Sequence, residues 1–261
     1  HSGKSFAFST QAIGGVAIDG TGTGLPERSL EAALNADAVL LGAVGNPKFD
    51  GRATSERPEA AILALRQALG GFANLRPAVC YSALSKRTPF QPERVKGANV
   101  LIIRELLGGL YFGEPRGFEA SGNTAFNTLI YSRHEVERVA KVAFERARER
   151  KKKLASIDKA NVLETSRLWR AVVTDVAKQY PDVDVEHVYI DTAAMRLAIS
   201  PTSFDVMLCD NLFGDILSDQ AASIAGSLGL LPSPTTGGKV DLYEPVHGSA
   251  PDIAGKGIAN P

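Results

Sequence analysis

Asn211-Leu212-Phe213-Gly214-Asp215-Ile216-Leu217-Ser218-Asp219 sets two carboxylates four residues apart, just after an apolar run from Phe204 to Cys209. If the run is a strand and Gly214 opens a helix, Asp215 and Asp219 project from one helix face, a turn apart. Carboxylates so placed can share one hard cation, since magnesium and manganese favour oxygen donors and take only one or two protein carboxylates. The competing reading makes Asp215 the N-cap of the helix and Asp219 a solvated acid in its first turn, where the dipole favours negative charge.

At 261 residues the chain has room for one large domain or two smaller ones, each with its own core. Basic and acidic residues balance at 29 each, so no net field draws the chain to nucleic acid or to an anionic membrane. A small anionic ligand must therefore be held by a local constellation. A hydrophobic fraction of 44% with 22% charged residues is that of a soluble globular protein, with no apolar stretch long enough to span a bilayer. No signal peptide is visible. Cys80 and Cys209 fall in apolar, strand-like runs with no partner pattern and read as buried reduced thiols. A cytosolic location is the expectation from these features together.

Gly3-Lys4-Ser5 is the tail of a phosphate-binding loop without the upstream strand and first glycine such a loop needs, and it reads as coincidence. No Gly-x-Gly-x-x-Gly dinucleotide fingerprint occurs. Pro26 and Glu27 suit the first turn of a helix running to Asn35. Ala38 to Leu41 reads as a buried strand emptying into a loop, Gly42 to Pro47, at the end where open α/β sheets bind ligands. The spacing predicts a helix from Pro58 to Leu69 with Glu59, Ile62, Leu63 and Arg66 on one face, either an amphipathic edge or a pocket wall. Arg76 precedes a strand at Ala78 to Tyr81, and Arg104 emerges at the end of a strand, Asn99 to Glu105. Each arginine alone reads as a surface residue, yet guanidinium forks from three rigid elements suit a di- or tricarboxylate. Tyr111, in the glycine-dense stretch 108–117, sits on a hairpin or extended arm as a proton donor or an interface aromatic.

Ser132-Arg133-His134-Glu135 is a capping box opening a long amphipathic helix. Its basic end, Arg148 to Lys153, reads as a solvated face and not a nucleic-acid patch. Leu154 to Ile157 reads as a strand running towards Lys159, a candidate base; an ion pair with Asp158 or Asp175 is the competing reading. A helix from Glu164 to Tyr180 and a strand from Val185 to Ile190 ending on Asp191 follow. Two helices of this length could pack against copies of themselves, and a dimer is expected. Gly226 to Pro234 reads as a loop, and Glu244 to Gly257 as a Gly-, Pro- and Ala-rich loop able to admit a nucleotide close to its backbone.

Several long motifs stand in register over nearly the whole chain: Ala73 to Pro77, Arg104-Glu105, Gly109 to Pro115, Asp158 to Leu163, Asn211 to Asp219, and Glu244 through Pro261. Together they closely resemble the β-decarboxylating dehydrogenases, the isocitrate/isopropylmalate dehydrogenase family. The resemblance implies a two-domain α/β fold that is not a classical Rossmann fold, which accounts for the missing fingerprint. Residues 1–72 plus 226–261 are expected on the cofactor side, and residues 73–225 are expected to carry metal, substrate and dimer contacts. The implied reaction is NAD-dependent oxidative decarboxylation of 3-isopropylmalate to 4-methyl-2-oxopentanoate and carbon dioxide, a step of leucine biosynthesis.

By the same resemblance Arg66, Arg76 and Arg104 clamp the malate carboxylates, beside Glu59, Ile62 and Leu63 on the specificity helix. Asp215 and Asp219 hold Mg2+ or Mn2+, with Asp191 contributed by the other subunit of a homodimer whose active site is shared. Lys159, also reaching across, serves in proton removal from the hydroxyl, and Tyr111 protonates the enolate left when carbon dioxide departs. Asn161, Glu244, His247, Gly248, Ser249, Ala250, Asp252, Ile253 and Asn260 line the NAD site. Asp252 favours NAD over NADP, because a carboxylate accepts the ribose hydroxyls and repels a 2′-phosphate. Ile62 and Leu63 offer apolar contact to an isopropyl group, worth roughly 1–3 kcal/mol of discrimination. Relative to the family the chain lacks the first strand with its glycine-rich turn and the closing helices after Asn260-Pro261, so an open core edge and weak cofactor binding are expected. The rivals are an isocitrate, homoisocitrate, malate or tartrate dehydrogenase on the same fold, and a non-catalytic dimerisation or binding module.

Overall fold

The computed structural model describes Gly3 and residues 5–259, so the sequence expectations for Lys4 and Asn260 lie outside the described residues. In chain order the elements are α1 (Gly15–Thr21), α2 (Glu27–Leu34), β1 (Ala38–Leu40), α3 (Pro58–Leu69), β2 (Ala73–Val79), α4 (Pro92–Val95), β3 (Asn99–Glu105), β4 (Gly117–Phe118) and β5 (Ala125–Phe126). They continue with α5 (Arg133–Arg148), β6 (Lys153–Asp158), α6 (Glu164–Ala177), β7 (Asp184–Tyr189), α7 (Ile190–Ile199), β8 (Val206–Cys209), α8 (Asn211–Ala225), β9 (Pro232–Thr236) and β10 (Asp241–Pro245). Two compact units share them: one runs through Gly71 and resumes at Gly237, and the other is Phe72–Thr236. Residues 226–236, expected on the first unit's side and read as a loop through Pro234, go with the second. The reason is that β9 pairs antiparallel with Ala73 and Asn74 of β2.

In the first unit β1 lies parallel to β10, with Ala38 opposite Asp241 and Leu40 opposite Tyr243. The helix α3 packs on β10. Pro58 occupies its first turn, where the missing N–H costs nothing, and Gly70 ends it in the left-handed region at φ 74°. Leu41, Leu65, Leu69, Val240 and Leu242 form the core, with Ile62 packed against it. The strand at 38–41 is less buried than its apolar run implied: Leu40 is exposed, because the pleat turns it away from Leu41 and β1 is an edge strand among the described residues. Glu244, expected in a loop, is part of β10.

The second unit carries strands in the order β9-β2-β3-β8-β6-β7. β2 runs antiparallel to β3, while β3, β8, β6 and β7 are mutually parallel. Period-two alternation sends Leu101 and Ile103 of β3 to the face covered by α5 and α6, and turns Arg104 towards α8. The α5/α6 face holds the larger core, including Trp169, Phe144, Val139, Val172 and Leu208. Fully burying an aromatic or aliphatic side chain of this kind contributes about 1.5–3 kcal/mol. The capping box predicted for α5 is present in both directions, Ser132 accepting from Glu135 N–H and the Glu135 carboxylate accepting from Ser132 N–H.

Three local expectations are corrected. Arg76 and Pro77 lie inside a strand, β2, not ahead of one. Asp191 does not end a strand but sits in the first turn of α7, which begins at Ile190. Cys209 is buried as expected, whereas Cys80 falls just past β2 and is half-buried. No helix among the described residues is long and apolar enough to cross a membrane.

Candidate active site

The helix α8 begins at Asn211, three residues before Gly214, and its N-cap is Asp210, whose carboxylate accepts the Phe213 N–H at 2.7 Å. Asp215 is therefore neither the cap nor a first-turn acid, and its side chain is left for other partners. Burial pushes the Asp210 carboxyl up to about 7, against the pull of the Phe213 N–H. A group whose folded pKa is raised binds its proton more tightly in the native state. Stability from it is full below the unfolded value near 3.8 and declines as pH rises towards 7. Asp210→Asn keeps a capping side chain and removes this slope. The variant is expected to gain on the parent between pH 4 and 7, by at most about 2–4 kcal/mol, in parallel urea titrations.

Asp215 is the meeting point of the second unit's polar residues. One of its carboxylate oxygens accepts from Arg104 Nη1 and the other from the Tyr111 hydroxyl. Arg76 Nη1 stands 3.7 Å from Asp215 and 3.5 Å from Asp219. Arg104 comes from the end of β3, where it lies opposite Cys209 of β8, so the strand that feeds α8 ends beside it. Arg76 comes from β2, and Tyr111 from a single 3-10 turn, Gly109–Tyr111. The Arg104 guanidinium lies over the Tyr111 ring at 5.2 Å. Both arginine side chains are almost wholly buried, while Asp219 is largely exposed.

Burial, and then the hydrogen bond to Asp215, raise the Tyr111 phenol above its usual value, so it carries its proton at neutral pH. Asp219 is largely exposed, yet the partial shielding on its inner side raises its carboxyl, with the Arg76 charge opposing. Gly214 makes the close approach possible: a Cβ there would lie 2.7 Å from Arg104 Cγ and 2.8 Å from its Cβ. Gly214→Ala is expected to cost about 1–3 kcal/mol despite alanine's better helix propensity, because α8 must retreat from β3. A lower urea midpoint checks it.

Lys159 pairs with Asp191 by a short ion pair. The alternative partners are engaged elsewhere: Asp158 holds Arg170 with both oxygens, at 2.8 and 2.9 Å, and Asp175 pairs with Arg133 and Lys178. The Lys159 ammonium holds the Asp191 carboxyl below its usual range. Asp191 does not gather with Asp215 and Asp219: among the described residues no group of three His, Cys, Asp or Glu side chains is placed to hold a metal ion. Asn161 is exposed in the turn after β6.

In the first unit Arg66 of α3 is ion-paired with Glu244 of β10, both largely buried. Ile62 and Leu63 are half-buried on the same helix, and Glu59 is exposed. The Ser249 hydroxyl donates to the Gly45 carbonyl at 2.6 Å, and His247 Nδ1 lies 3.0 Å from the Gly248 carbonyl. Nothing crowds the position a Gly248 Cβ would take, and Ala250 adopts φ 43°, in the left-handed region. Asp252 and Ile253 lie on the 3-10 turn Pro251–Ile253.

Two supporting residues escaped the sequence reading. Asn74 accepts from Arg76 Nε at 2.8 Å and donates to Ser233 and Thr235, and Ser218 accepts from Arg76 Nη1 at 2.7 Å. Their signal was present, since Asn74 is two strand residues from Arg76 and Ser218 one helix turn from Asp215.

The sequence model of the isocitrate/isopropylmalate dehydrogenase family matches residues 1–261. A protein of Wolinella succinogenes named 3-isopropylmalate dehydrogenase is 53% identical over 259 residues, which are 99% of this chain and 72% of that protein. One of the same name from Pseudomonas putida is 55% identical over 260 residues, 98% of this chain and 72% of its own length. The crystal structure of an isocitrate dehydrogenase from Methylococcus capsulatus superposes with a TM-score of 0.83 at 36% identity, covering 96% of this chain and 71% of that one.

Proposed function

Because this chain belongs to the isocitrate/isopropylmalate dehydrogenase family, we propose that it carries out the NAD-dependent oxidative decarboxylation of 3-isopropylmalate to 4-methyl-2-oxopentanoate, a step of leucine biosynthesis. The observation that carries the reading is the bridging of Arg104 and Tyr111 by the Asp215 carboxylate, which puts a carboxylate-gripping cation, a metal-type ligand and a proton donor at one point. Relatives 53% and 55% identical that bear the name 3-isopropylmalate dehydrogenase support this substrate over isocitrate.

The residues present fit a hard divalent cation. Asp215 and Asp219 sit within 3.7 and 3.5 Å of one Arg76 nitrogen, so their oxygens converge, and an all-oxygen set suits Mg2+ or Mn2+. With two carboxylates from one chain, the third is assigned to Asp191 of a second copy in a homodimer, which would also bring Lys159. Such a cation supplies charge withdrawal from the substrate's hydroxyl and, after oxidation, its carbonyl oxygen. A nicotinamide cofactor fits the open segment from Gly248 to Ile253, beyond β10 with its Glu244, and the chemistry it would supply is acceptance of a hydride from the carbon bearing the hydroxyl.

The chain's own residues do the rest. Arg76 and Arg104, buried forks on neighbouring strands, bind and orient the malate carboxylates, with Arg66 assigned to the same task. Lys159, which must leave its ion pair with Asp191 and act as the free amine, takes the hydroxyl proton as the carbinol becomes a ketone. The β-carboxylate then leaves as carbon dioxide, and Tyr111 gives its phenolic proton to the resulting enolate carbon. Ile62 and Leu63 receive the isopropyl group. The test is NADH formation, followed by absorbance, with 3-isopropylmalate and Mg2+ or Mn2+, beside isocitrate, malate and tartrate. Faster turnover of any control substrate would sink the assignment.

A further inference from the structure

We infer that Asn211 is a positioning residue that fixes the guanidinium of Arg104 for a substrate carboxylate, and that Tyr131, backed by Glu105, fixes Asn211 in turn. The inference rests on the reading of Arg104 as a carboxylate clamp.

Neighbouring residues on β3 face opposite ways, and Asn211 joins the two sides. Arg104 turns towards α8, whereas Glu105 turns towards α5, where Arg138 approaches it at 3.4 Å. Asn211 stands just past the end of β8, and its groups reach both faces. Its side-chain oxygen accepts from Arg104 Nε at 2.9 Å and from Nη2 at 2.7 Å. Its side-chain nitrogen donates to the Leu106 carbonyl at 3.1 Å and the Gly108 carbonyl at 3.0 Å. Two acceptances and two donations exhaust an asparagine side chain, and Asn211 is 1% exposed, so it has nothing left with which to touch a ligand. Its hold on one edge of the guanidinium leaves Nη1 directed at Asp215.

The backbone of Asn211 is held from the other face. As the first residue of α8 its N–H has no acceptor within the helix. It donates to the Tyr131 hydroxyl at 2.9 Å, and that hydroxyl donates to Glu105 at 3.2 Å. The Glu105 carboxylate also accepts the Leu107 and Gly108 N–H groups, at 3.1 and 2.8 Å. Backbone closes over the hydroxyl, since a Cβ at Gly109 would lie 2.6 Å from it. Helix capping does not account for Asn211, because Asp210 performs that task.

The test is calorimetric titration of 3-isopropylmalate with Mg2+ into the 261-residue chain and into Asn211→Ala, Arg104→Lys, their double variant and Tyr131→Phe. Loss of two hydrogen bonds to a charged group is expected to weaken substrate binding about tenfold in Asn211→Ala. Tyr131→Phe, which keeps the ring, is expected to weaken it several-fold. In the Arg104→Lys background, which lacks the fork, Asn211→Ala should cost nothing further. An equal loss in both backgrounds would overturn the inference, as would unchanged binding in Tyr131→Phe. Should Asn211→Ala fail to fold, the cycle is run with Tyr131→Phe. Absence of binding by the parent chain would instead overturn the substrate reading, a distinct result.

Discussion

Asp215→Asn is expected to lower kcat/KM with 3-isopropylmalate by about 10²–10³-fold or more while the chain stays folded. The size follows from what one carboxylate does. It accepts from Arg104 on one oxygen and from Tyr111 on the other, stands near Arg76, and with Asp219 supplies the only pair of convergent acids among the described residues at this site. An amide of the same shape keeps one acceptor but offers no charge to a hard cation. It also presents an N–H₂ group to partners that are themselves donors. Steady-state kinetics across a range of Mg2+ and Mn2+ concentrations read the loss. Raising the metal should recover little, because the proton donor and the clamp are displaced together. Near-parental turnover at saturating metal would sink the proposed role of Asp215.

Trp169→Ala is expected to carry the largest stability cost, about 3–5 kcal/mol. Trp169 is 2% exposed in the core of the second unit and meets Tyr131 edge to face, with ring centroids 5.6 Å apart. Against a total stability of about 5–15 kcal/mol, such a loss leaves a marginal protein. Urea unfolding followed by circular dichroism should show the lowered midpoint. Substrate binding should weaken as well, because the ring that steadies Tyr131 is gone and Tyr131 holds the first N–H of α8. A cost below about 1 kcal/mol would mean that the cavity collapses around the change.

Local signals proved the legible ones. The capping box at Ser132 and Glu135 is complete within four residues, and α3 is bracketed by a proline at its start and a glycine past its end, so both helices begin where the sequence says. The start of α8 was misread because Gly214 looked like a helix opener, whereas it lets Arg104 pack closely, and the actual cap is a buried acid. Arg76 was placed outside a strand because Pro77 reads as a breaker, and β9 was hidden by Pro232 and Pro234. The carboxylate pair and the two buried arginines were readable as chemistry. Their meeting at Asp215 was not, since it joins residues more than 100 positions apart. The same holds for Lys159 and Asp191, where two nearer acids were the natural guesses and both are taken by arginines.

Trp169 is the only tryptophan in the chain. Its burial in the second unit makes it an intrinsic fluorophore for that unit alone, and the first unit is silent at indole wavelengths. Emission should shift to the red when the α5/α6 core opens and should ignore any earlier opening of α2, α3 and β10. Denaturation followed by fluorescence and by circular dichroism would then give one curve if the units unfold together and two if they do not. Ligands that enter through the carboxylate clamp should move the fluorescence transition first, since the indole is one ring away from the tyrosine that holds the start of α8.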